Sequence, residues 1–450
     1  MNPNVFREYD VRGVVGKDLH EEFVFSLGRA IGTYAAGHKI KKMTIGRDCR
    51  LSSNDYHHFL ISGLNSSGIE TIDIGLCATP MLYFSIRHLN VEGGVMITGS
   101  HNPPEFNGFK ICIGNDTIYG ENIQKLRKIM ESGQYSTGGA SSSFQDITVA
   151  YQNYLFDNVK ITRKIKVAVD AGNGVGGKFA LPILQRYGCE VIPLYCEPDG
   201  HFPNHFPDPT VEENLSDLIK IVREQKADLG IAFDGDADRL GVISDKGEII
   251  WGDKLLLLFA REILKAKPNS TIIGEVKCSQ TLYDDIKKHS GRAIMWKAGH
   301  SLIKAKMKEE KAVLGGEMSG HLFFADRYFG FDDAIYASLR LLEILSKTGK
   351  KIPELLSGLP KTYSTPEIRV ETPEETKFKL VEAVKAELAR KFPIIDVDGV
   401  RVLFEDGWGL IRASNTQPVL VLRFEAHSPE RLEEIQTIIE KILHQVQKKF

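Results

Sequence analysis

A strand–helix–strand unit recurs three times along the chain and constrains the fold more than any other feature. The units begin with short apolar segments at residues 43–45, 167–170 and 271–273, and in each a helical stretch and a glycine-led second strand follow. Repeated strands joined by helices are typical of parallel sheets. Unrelated βαβ units also share such spacing, so the loops after the strands are the stronger evidence for a repeat.

The third strand of each unit ends in an unusually polar loop. These loops are residues 98–103 (TGSHNP), 234–239 (DGDADR) and 316–321 (GEMSGH). Ligands of open α/β sheets bind at the carboxyl ends of strands, so the three loops predict one site shared by three related α/β domains.

The C-terminal part of the chain follows a different pattern. Strands at residues 400–404, 409–411 and 419–424 lie too close together for crossover helices, which predicts an antiparallel α+β domain. The Gly/Ser-rich stretch at residues 136–143 reads as a linker. The predicted domains span residues 1–145, 146–248, 249–360 and 361–450.

Composition excludes several function classes. The 450 residues are 42% hydrophobic and 26% charged, with a net charge of −2, as in ordinary globular proteins. Without a basic excess or a long apolar run, we expect neither nucleic-acid nor membrane partners. Residues 1–7 do not resemble a signal peptide, and the six cysteines form no Cys-x-x-Cys pair. We therefore expect a cytoplasmic protein with reduced thiols.

Three aspartates within five residues indicate a metal site. Asp234, Asp236 and Asp238 lie on a loop in which Gly235 permits a tight turn, so their oxygens can converge on one divalent cation, preferably Mg²⁺. An EF-hand is disfavoured because Arg239 occupies its sixth position. A solvated turn is the alternative, although clustered carboxylates repel one another without a cation.

Other loops offer groups for a phosphorylated sugar. Ser100 could act as a nucleophile if activated, residues 412–418 (RASNTQP) suit a phosphate dianion, and Glu317 suits sugar hydroxyls. Each loop alone could also be an ordinary turn, and His321 could be a structural histidine.

With these loops in this order, the chain resembles the α-D-phosphohexomutase superfamily, in its phosphomannomutase/phosphoglucomutase branch. The resemblance covers essentially the whole chain and is carried by residues 9–13, 98–103, 108–110, 234–239, 316–321 and 412–418. It implies three similar α/β domains with mixed, largely parallel sheets, plus a C-terminal α+β domain with an antiparallel sheet, around a central cleft.

The resemblance also implies roles for individual residues. Ser100 would be a phosphoserine and, with Asp234, Asp236 and Asp238, would ligate one Mg²⁺ per chain. The implied catalytic residues are Ser100, His101, Lys110, Arg239, His321 as general base and acid, and His300 as the alternative. The implied substrate-binding residues are Tyr9, Arg12, Lys277, Glu317, Ser319, Arg412, Ser414, Asn415 and Thr416.

The implied reaction moves phosphate between C1 and C6 of mannose or glucose phosphates. Phosphoserine donates its phosphoryl group, and a hexose 1,6-bisphosphate, which is both intermediate and activator, turns over and returns the other one. We expect small-molecule sugar phosphates as partners and a monomer or weak dimer.

Three alternatives stay open. A phosphoglucosamine-type mutase would differ in the serine, sugar and phosphate loops. Residues 231–236 also resemble the first motif of haloacid-dehalogenase phosphatases, in which Asp234 would be phosphorylated. A non-catalytic sugar-phosphate sensor could keep the same cleft. A serine hydrolase is disfavoured, because the chain lacks a Gly-x-Ser-x-Gly elbow.

Overall fold

The three repeats fold into sheets with the same strand order. In the computed structural model, which describes residues 1–415 and 417–449, the first strand of each unit lies between the second and the third, and these three strands run parallel. A fourth strand, formed by the chain returning from the polar loop, pairs antiparallel with the third. The predicted repeat of mixed sheets is confirmed.

The first sheet has strand order β1-β5-β4-β2-β3-β7, with β6 paired to β5. Its strands are β1 (Val11–Val14), β2 (Lys42–Arg47), β3 (Glu70–Leu76), β4 (Gly93–Ile97), β5 (Phe106–Ile113), β6 (Asp116–Thr117) and β7 (Ser142–Phe144). Its helices are α1 (Glu21–Gly37), α2 (Ser53–Ser66), α3 (Thr79–His88) and α4 (Glu121–Ser132).

The second and third sheets repeat this core with fewer strands. The second comprises β8 (Lys166–Asp170), β9 (Glu190–Leu194), β10 (Leu229–Phe233), β11 (Leu240–Ser244) and β12 (Ile249–Ile250), with α5 (Thr148–Asn158), α6 (Gly176–Arg186) and α7 (Ser216–Glu224). The third comprises β13 (Thr271–Glu275), β14 (Arg292–Trp296), β15 (Leu314–Gly316) and β16 (Leu322–Phe324), with α8 (Gly252–Ala266), α9 (Gln280–Lys288), α10 (His300–Glu310), α11 (Ala334–Thr348) and α12 (Ile352–Leu355).

The fourth sheet is antiparallel throughout its described pairings, as predicted. It comprises β17 (Tyr363–Ser364), β18 (Ile368–Glu371), β19 (Ile394–Ile395), β20 (Val400–Phe404), β21 (Gly407–Ala413) and β22 (Val419–Ala426), with helices α13 (Lys377–Ala389) and α14 (Pro429–Gln447).

Apolar runs and capping residues explain the local structure. Strands β4 and β10 are buried along their whole length, which fits a strand covered on both faces. The imidazole Nδ1 of His20 accepts a hydrogen bond from the backbone N–H of Phe23 at the start of α1, and the Ser428 hydroxyl does the same for Arg431 at the start of α14. These two helices therefore begin where the sequence supplies an acceptor.

One apolar core continues through the three repeat domains, from Ile72 and Tyr83 in the first to Phe324 and Tyr336 in the third. Residues 136–143, predicted as a linker, instead run along the first domain, where the backbone N–H of Ala140 donates to the carbonyl of Asn65 at 3.2 Å. The chain then enters β7, which pairs with β3. Among the described residues, every helix is too short or too polar to cross a lipid bilayer.

Helices α1 and α2 approach each other closely through Gly28 and Gly63. A Cβ atom added to Gly63 would lie 2.3 Å from the carbonyl oxygen of Phe25. We expect Gly63→Ala to lower the free energy of unfolding by about 1–3 kcal/mol through overpacking. Gly37→Ala, in the same helix pair but with no atom within 4 Å, is the control and should be neutral or slightly stabilising. Equal urea midpoints for the two variants would contradict this packing.

Candidate active site

Ser100 lies at the carboxyl end of β4, where the first domain meets the second. Its backbone has a positive φ of 49°, uncommon for a residue with a side chain, and only 3% of the residue is exposed. The hydroxyl donates a hydrogen bond to Asp234 Oδ2 at 2.8 Å, and its oxygen lies 3.1 Å from His101 Nδ1. Two of the predicted loops are thus in direct contact.

The carboxylates of Asp234, Asp236 and Asp238 converge on the turn between β10 and β11. Each is fully buried, and one oxygen from each lies within 4.8 Å of the others. The turn brings the backbone N–H groups of Asp238 and Arg239 within 3.0 Å of Asp234 Oδ1. Burial, together with the two neighbouring carboxylates, holds the pKa of Asp234 well above its usual range.

This cluster fits a divalent cation. The Oδ1 atom of Asp236 is buried and has no hydrogen-bond partner in residues 1–415 and 417–449, a costly state for a carboxylate unless an ion or water occupies the position. Three oxygen ligands are suited to a hard cation. The donor set therefore matches the predicted metal site.

Lys110 brings positive charge to the same cluster from β5. Its ammonium nitrogen lies 2.6 Å from Asp236 Oδ2 and also pairs with Asp238. Burial alone would lower the pKa of Lys110, but these carboxylates raise it above its usual value. Burial would likewise raise the pKa of Asp238, yet Lys110 and His321 hold it well below its usual range.

His321 connects the metal loop to the sugar loop. Its Nδ1 lies 2.5 Å from Glu317 Oε2 and its Nε2 lies 3.1 Å from Asp238 Oδ1. The backbones of Arg239 and His321 form an antiparallel bridge. Although burial opposes it, the two carboxylates raise the pKa of His321 to about 10.

His300 lies beside His321, with ring centroids 5.6 Å apart. Its Nδ1 is 3.5 Å from Asp332 Oδ2. Burial, reinforced by Lys304 and Lys110, holds the pKa of His300 well below its usual range. The pKa values of these two neighbouring histidines are therefore shifted in opposite directions.

Two arginines flank the serine. The Nε atom of Arg239 lies 4.0 Å from Asp234 Oδ2. Arg12 pairs with Asp10 and donates to the side-chain oxygen of Asn102 in the serine loop. Burial and these two arginines hold the pKa of His101 well below its usual range, so His101 is neutral beside Ser100.

The predicted phosphate loop lies across the cleft, on the fourth domain. Arg412 donates through Nε to Asp398 Oδ2 at 2.9 Å, and the Ser414 hydroxyl accepts from the backbone N–H of Gln417 at 3.1 Å.

The Asn415 amide donates to the Tyr9 hydroxyl at 2.8 Å, and Tyr9 donates to the Ala298 carbonyl at 2.9 Å. Thr416, also predicted to bind phosphate, lies outside the described residues.

The predicted sugar loop joins the two halves of the site. Glu317 Oε1 accepts a hydrogen bond from the backbone N–H of Gly299 at 2.5 Å, and Ser319 Oγ lies 3.5 Å from His321 Nδ1. Lys277 Nζ lies 3.1 Å from Glu367 and 3.5 Å from Glu275. The predicted residues therefore form two groups, one around Ser100 and the aspartates and one around Arg412, with Glu317 between them.

Models of the phosphoglucomutase/phosphomannomutase family match all four parts of the chain. Alpha/beta/alpha domain I matches residues 3–136, domain II residues 149–247, domain III residues 251–363, and the C-terminal domain residues 367–442. The chain belongs to the phosphoglucomutase/phosphomannomutase family.

Named relatives agree with this membership. A phosphomannomutase/phosphoglucomutase of Pseudomonas aeruginosa is 47% identical over 444 residues, covering 98% of this chain and 96% of the relative. A phosphoglucomutase of Neisseria gonorrhoeae is 47% identical with the same coverage of both chains. The crystal structure of a phosphoglucomutase/phosphomannomutase family protein from Burkholderia thailandensis superposes with a TM-score of 0.94 at 40% identity, covering 99% of this chain and 98% of that one. The chain is thus a phosphohexomutase, an intramolecular phosphotransferase.

Sequence reasoning missed several residues of this phosphohexomutase site. Thr79, at the start of α3, donates to Asp236 through its hydroxyl and, at 2.9 Å, through its backbone N–H to the Asp236 carbonyl. No motif marks Thr79. Glu275 ends β13 and accepts from the backbone N–H of Met318 at 2.8 Å. A carboxylate at the carboxyl end of a parallel strand could have been found by the rule that identified the loops.

The mutase should lose metal affinity when the cluster loses one charge. We expect Asp236→Asn to weaken Mg²⁺ binding by at least about tenfold, because affinity follows the charge and geometry of the ligands. Calorimetric titration with Mg²⁺ measures this. Asp170→Asn is the matched control, since Asp170 is equally buried at the end of β8 but pairs with His205. Unchanged affinity in Asp236→Asn would contradict the assignment.

Proposed function

We propose that this enzyme interconverts the 1- and 6-phosphates of mannose and glucose, with Ser100 as the phosphate carrier. The observation that carries the proposal is the contact between the Ser100 hydroxyl and Asp234 within a buried carboxylate cluster. A hydroxyl so placed can hold a phosphoryl group beside a cation while a second hydroxyl approaches from the cleft.

The proposed ion is Mg²⁺, one per chain. Asp234, Asp236, Asp238 and an oxygen on Ser100 would hold it. When bound, Mg²⁺ would offset the negative charge of the phosphoryl oxygens. The unpartnered Asp236 oxygen supports a cation at this position.

The basic side chains would neutralise and orient the transferred group. Lys110 and Arg239 already lie against the carboxylate cluster, so their charges are available to the phosphoryl oxygens. Arg12 holds Asn102 of the serine loop, and His101 contacts the hydroxyl. These four residues would bind and orient the phosphoserine without themselves being phosphorylated.

His321 would exchange a proton with the reacting sugar hydroxyl. In the forward step, the bond between the Ser100 oxygen and phosphorus would break, a bond from the sugar oxygen to phosphorus would form, and the sugar proton would pass to His321. The freed Ser100 oxygen would remain as an alkoxide near Lys110 and Arg239 until it attacks the second phosphoryl group, when His321 returns the proton to the departing sugar oxygen.

Glu317 orients the imidazole through Nδ1. Asp238 contacts the other imidazole nitrogen, Nε2, and contributes to the raised pKa of His321. His300 is the alternative.

The second half of the reaction reverses these bonds. The hexose 1,6-bisphosphate turns over in the cleft and returns its other phosphoryl group to Ser100. Glu317 and Ser319 would hold the sugar 3- and 4-hydroxyls in either orientation. The static phosphate would be held by Tyr9, Lys277, Arg412, Ser414, Asn415 and Thr416. Since these groups do not read C2, mannose and glucose phosphates should both be substrates.

Three further properties belong to this proposal. We expect the enzyme to act in the cytoplasm on small-molecule sugar phosphates, without nucleic-acid or membrane partners, and as a monomer or weak dimer. The domain limits 1–145, 146–248, 249–360 and 361–450 also remain predictions. The division of the strands into four sheets supports the number of domains.

Replacing the proposed carrier tests the function directly. Ser100→Ala should abolish turnover of mannose 1-phosphate and glucose 1-phosphate in the presence of Mg²⁺ and glucose 1,6-bisphosphate, because no oxygen remains to carry phosphate. Peptide mass spectrometry should find an acid-stable phosphate on Ser100 of the parent protein after incubation with the bisphosphate. Ser85→Ala is the control, since Ser85 is a buried serine of the same domain that bonds Thr44 and Leu82.

Each alternative gives a different result in that experiment. An acyl phosphate on Asp234 would indicate the phosphatase, and bisphosphate binding without turnover by the parent protein would indicate a sensor. Turnover of glucosamine phosphates alone would indicate the phosphoglucosamine-type mutase. Any of these results would refute the proposed function.

The two histidines can be separated by parallel substitution. We expect His321→Asn to lower kcat by about 10²- to 10⁴-fold, the usual contribution of a general acid–base group. His300→Asn should lower it less, because His300 lies against Asp332, whereas His321 is oriented by both Glu317 and Asp238. Steady-state kinetics with glucose 1-phosphate measures both. A larger loss in His300→Asn would reverse the assignment.

A further inference from the structure

Arg50 lies fully inside the first domain, directly behind the loop that carries Ser100. It follows β2 in the chain, far from residues 98–106 in sequence, and only 2% of it is exposed. Its guanidinium donates to the backbone carbonyl oxygens of four loop residues. These are Ser100 at 2.8 Å, Pro103 at 2.6 Å, Phe106 at 2.9 Å and Asn102.

These contacts use the full donor capacity of the two terminal nitrogens. One terminal nitrogen binds the Ser100 and Asn102 oxygens, and the other binds the Pro103 and Phe106 oxygens. A guanidinium offers four such N–H groups in a rigid plane, whereas a lysine ammonium has three on one atom. The number and direction of the guanidinium N–H groups therefore match those of the carbonyl oxygens of the loop.

Asp48 holds Arg50 in this orientation. Its Oδ2 lies 3.4 Å from Arg50 Nε and accepts from the backbone N–H of Gly99 at 3.3 Å. On the other side, the ring of Phe202, from the second domain, lies 5.0 Å from the guanidinium carbon. Arg50 thus contacts the serine loop from a position fixed by both domains.

The backbone of Ser100 needs such support. Its φ of 49° is a sparsely populated conformation that persists only where the surroundings hold it. The same carbonyl oxygen lies close to Gly235, where an added Cβ would be 2.3 Å from it. Arg50 and Gly235 therefore confine the same carbonyl group, which sets the direction of the serine side chain towards Asp234.

We propose that Arg50 is a positioning residue for phosphoryl transfer, which holds the Ser100 loop in the conformation that aims the phosphoserine along the in-line path. The inference rests on the proposed role of Ser100. Arg50 acts through the loop backbone, since its terminal donors are bound to carbonyl oxygens. In-line transfer is sensitive to displacements of about 1 Å, so loss of the guanidinium should slow the chemical step and leave sugar binding by the third and fourth domains intact.

Arg50→Lys tests the inference, because it keeps the charge and removes the planar donor set. We expect kcat to fall by about 10- to 100-fold with little change in KM for glucose 1-phosphate. The rate at which glucose 1,6-bisphosphate phosphorylates Ser100, followed by rapid-quench mass spectrometry, should fall by the same factor. Arg340→Lys is the matched control, since Arg340 is also a buried arginine but binds Asp326 on the third domain.

A second variant tests whether a loss of activity reflects the orientation of Arg50 or a general loss of protein stability. Asp48→Asn leaves Arg50 in place but removes the carboxylate that orients it, and should show the same separation of kcat from KM to a smaller extent. Thermal melting of the three variants and the parent shows how far lost stability contributes. If Arg50→Lys and Arg340→Lys lose activity equally at equal stability loss, Arg50 has no positioning role.

Phosphorylation of the parent and of Arg50→Lys also separates the role of Arg50 from the proposed role of Ser100 as phosphate carrier. If the parent protein acquires no phosphate on Ser100, the carrier assignment and the role of Arg50 both fail. If the parent is phosphorylated on Ser100 and Arg50→Lys is phosphorylated at the parental rate, the carrier assignment stands and the role of Arg50 alone is refuted.

Discussion

Mutual repulsion among three buried carboxylates is the constraint on which the rest of the site depends. Asp234, Asp236 and Asp238 lie within a few ångströms of one another, away from solvent, and such a group is stabilised by positive charge beside it and by a raised pKa of one carboxyl. Lys110 supplies that charge from the first domain, and His321 from the third. The negative charge of one loop is therefore offset by side chains from two other domains, so three domains meet at this point.

The repeated topology makes this meeting possible. In each repeat, the third strand is internal and its carboxyl end is where a parallel strand delivers its next residues. The chain then returns as an antiparallel strand, so each loop is held at both ends by the sheet. A loop whose two ends are fixed in a sheet can hold its polar groups at constant distances. Phosphoryl transfer needs such fixed distances, because it depends on the alignment of the reacting atoms and on nearby charge.

The side chains proposed to bind the substrate already make polar contacts with other groups of the protein. Arg412, Lys277 and Glu317 are each engaged with another side chain or backbone group of the protein, and Tyr9 of the first domain bonds Asn415 of the fourth. A sugar phosphate would exchange these contacts for its own phosphate and hydroxyl groups. Under the proposed roles of these residues, substrate binding would rearrange this existing polar network.

Sequence alone determined the repeated α/β architecture, the antiparallel C-terminal domain and the loops that meet at the cleft, because strand periodicity and the chemistry of a strand end are local properties. It left Thr79, Glu275 and Arg50 unassigned, and it described residues 136–143 as a linker although their end leads into an edge strand. Only the tertiary structure decided that Arg50 binds the carbonyls of a loop some fifty residues away and that His321 lies between Asp238 and Glu317. Such contacts depend on how segments distant in sequence pack, within one domain for Arg50 and between two domains for His321, and local sequence patterns do not encode that packing.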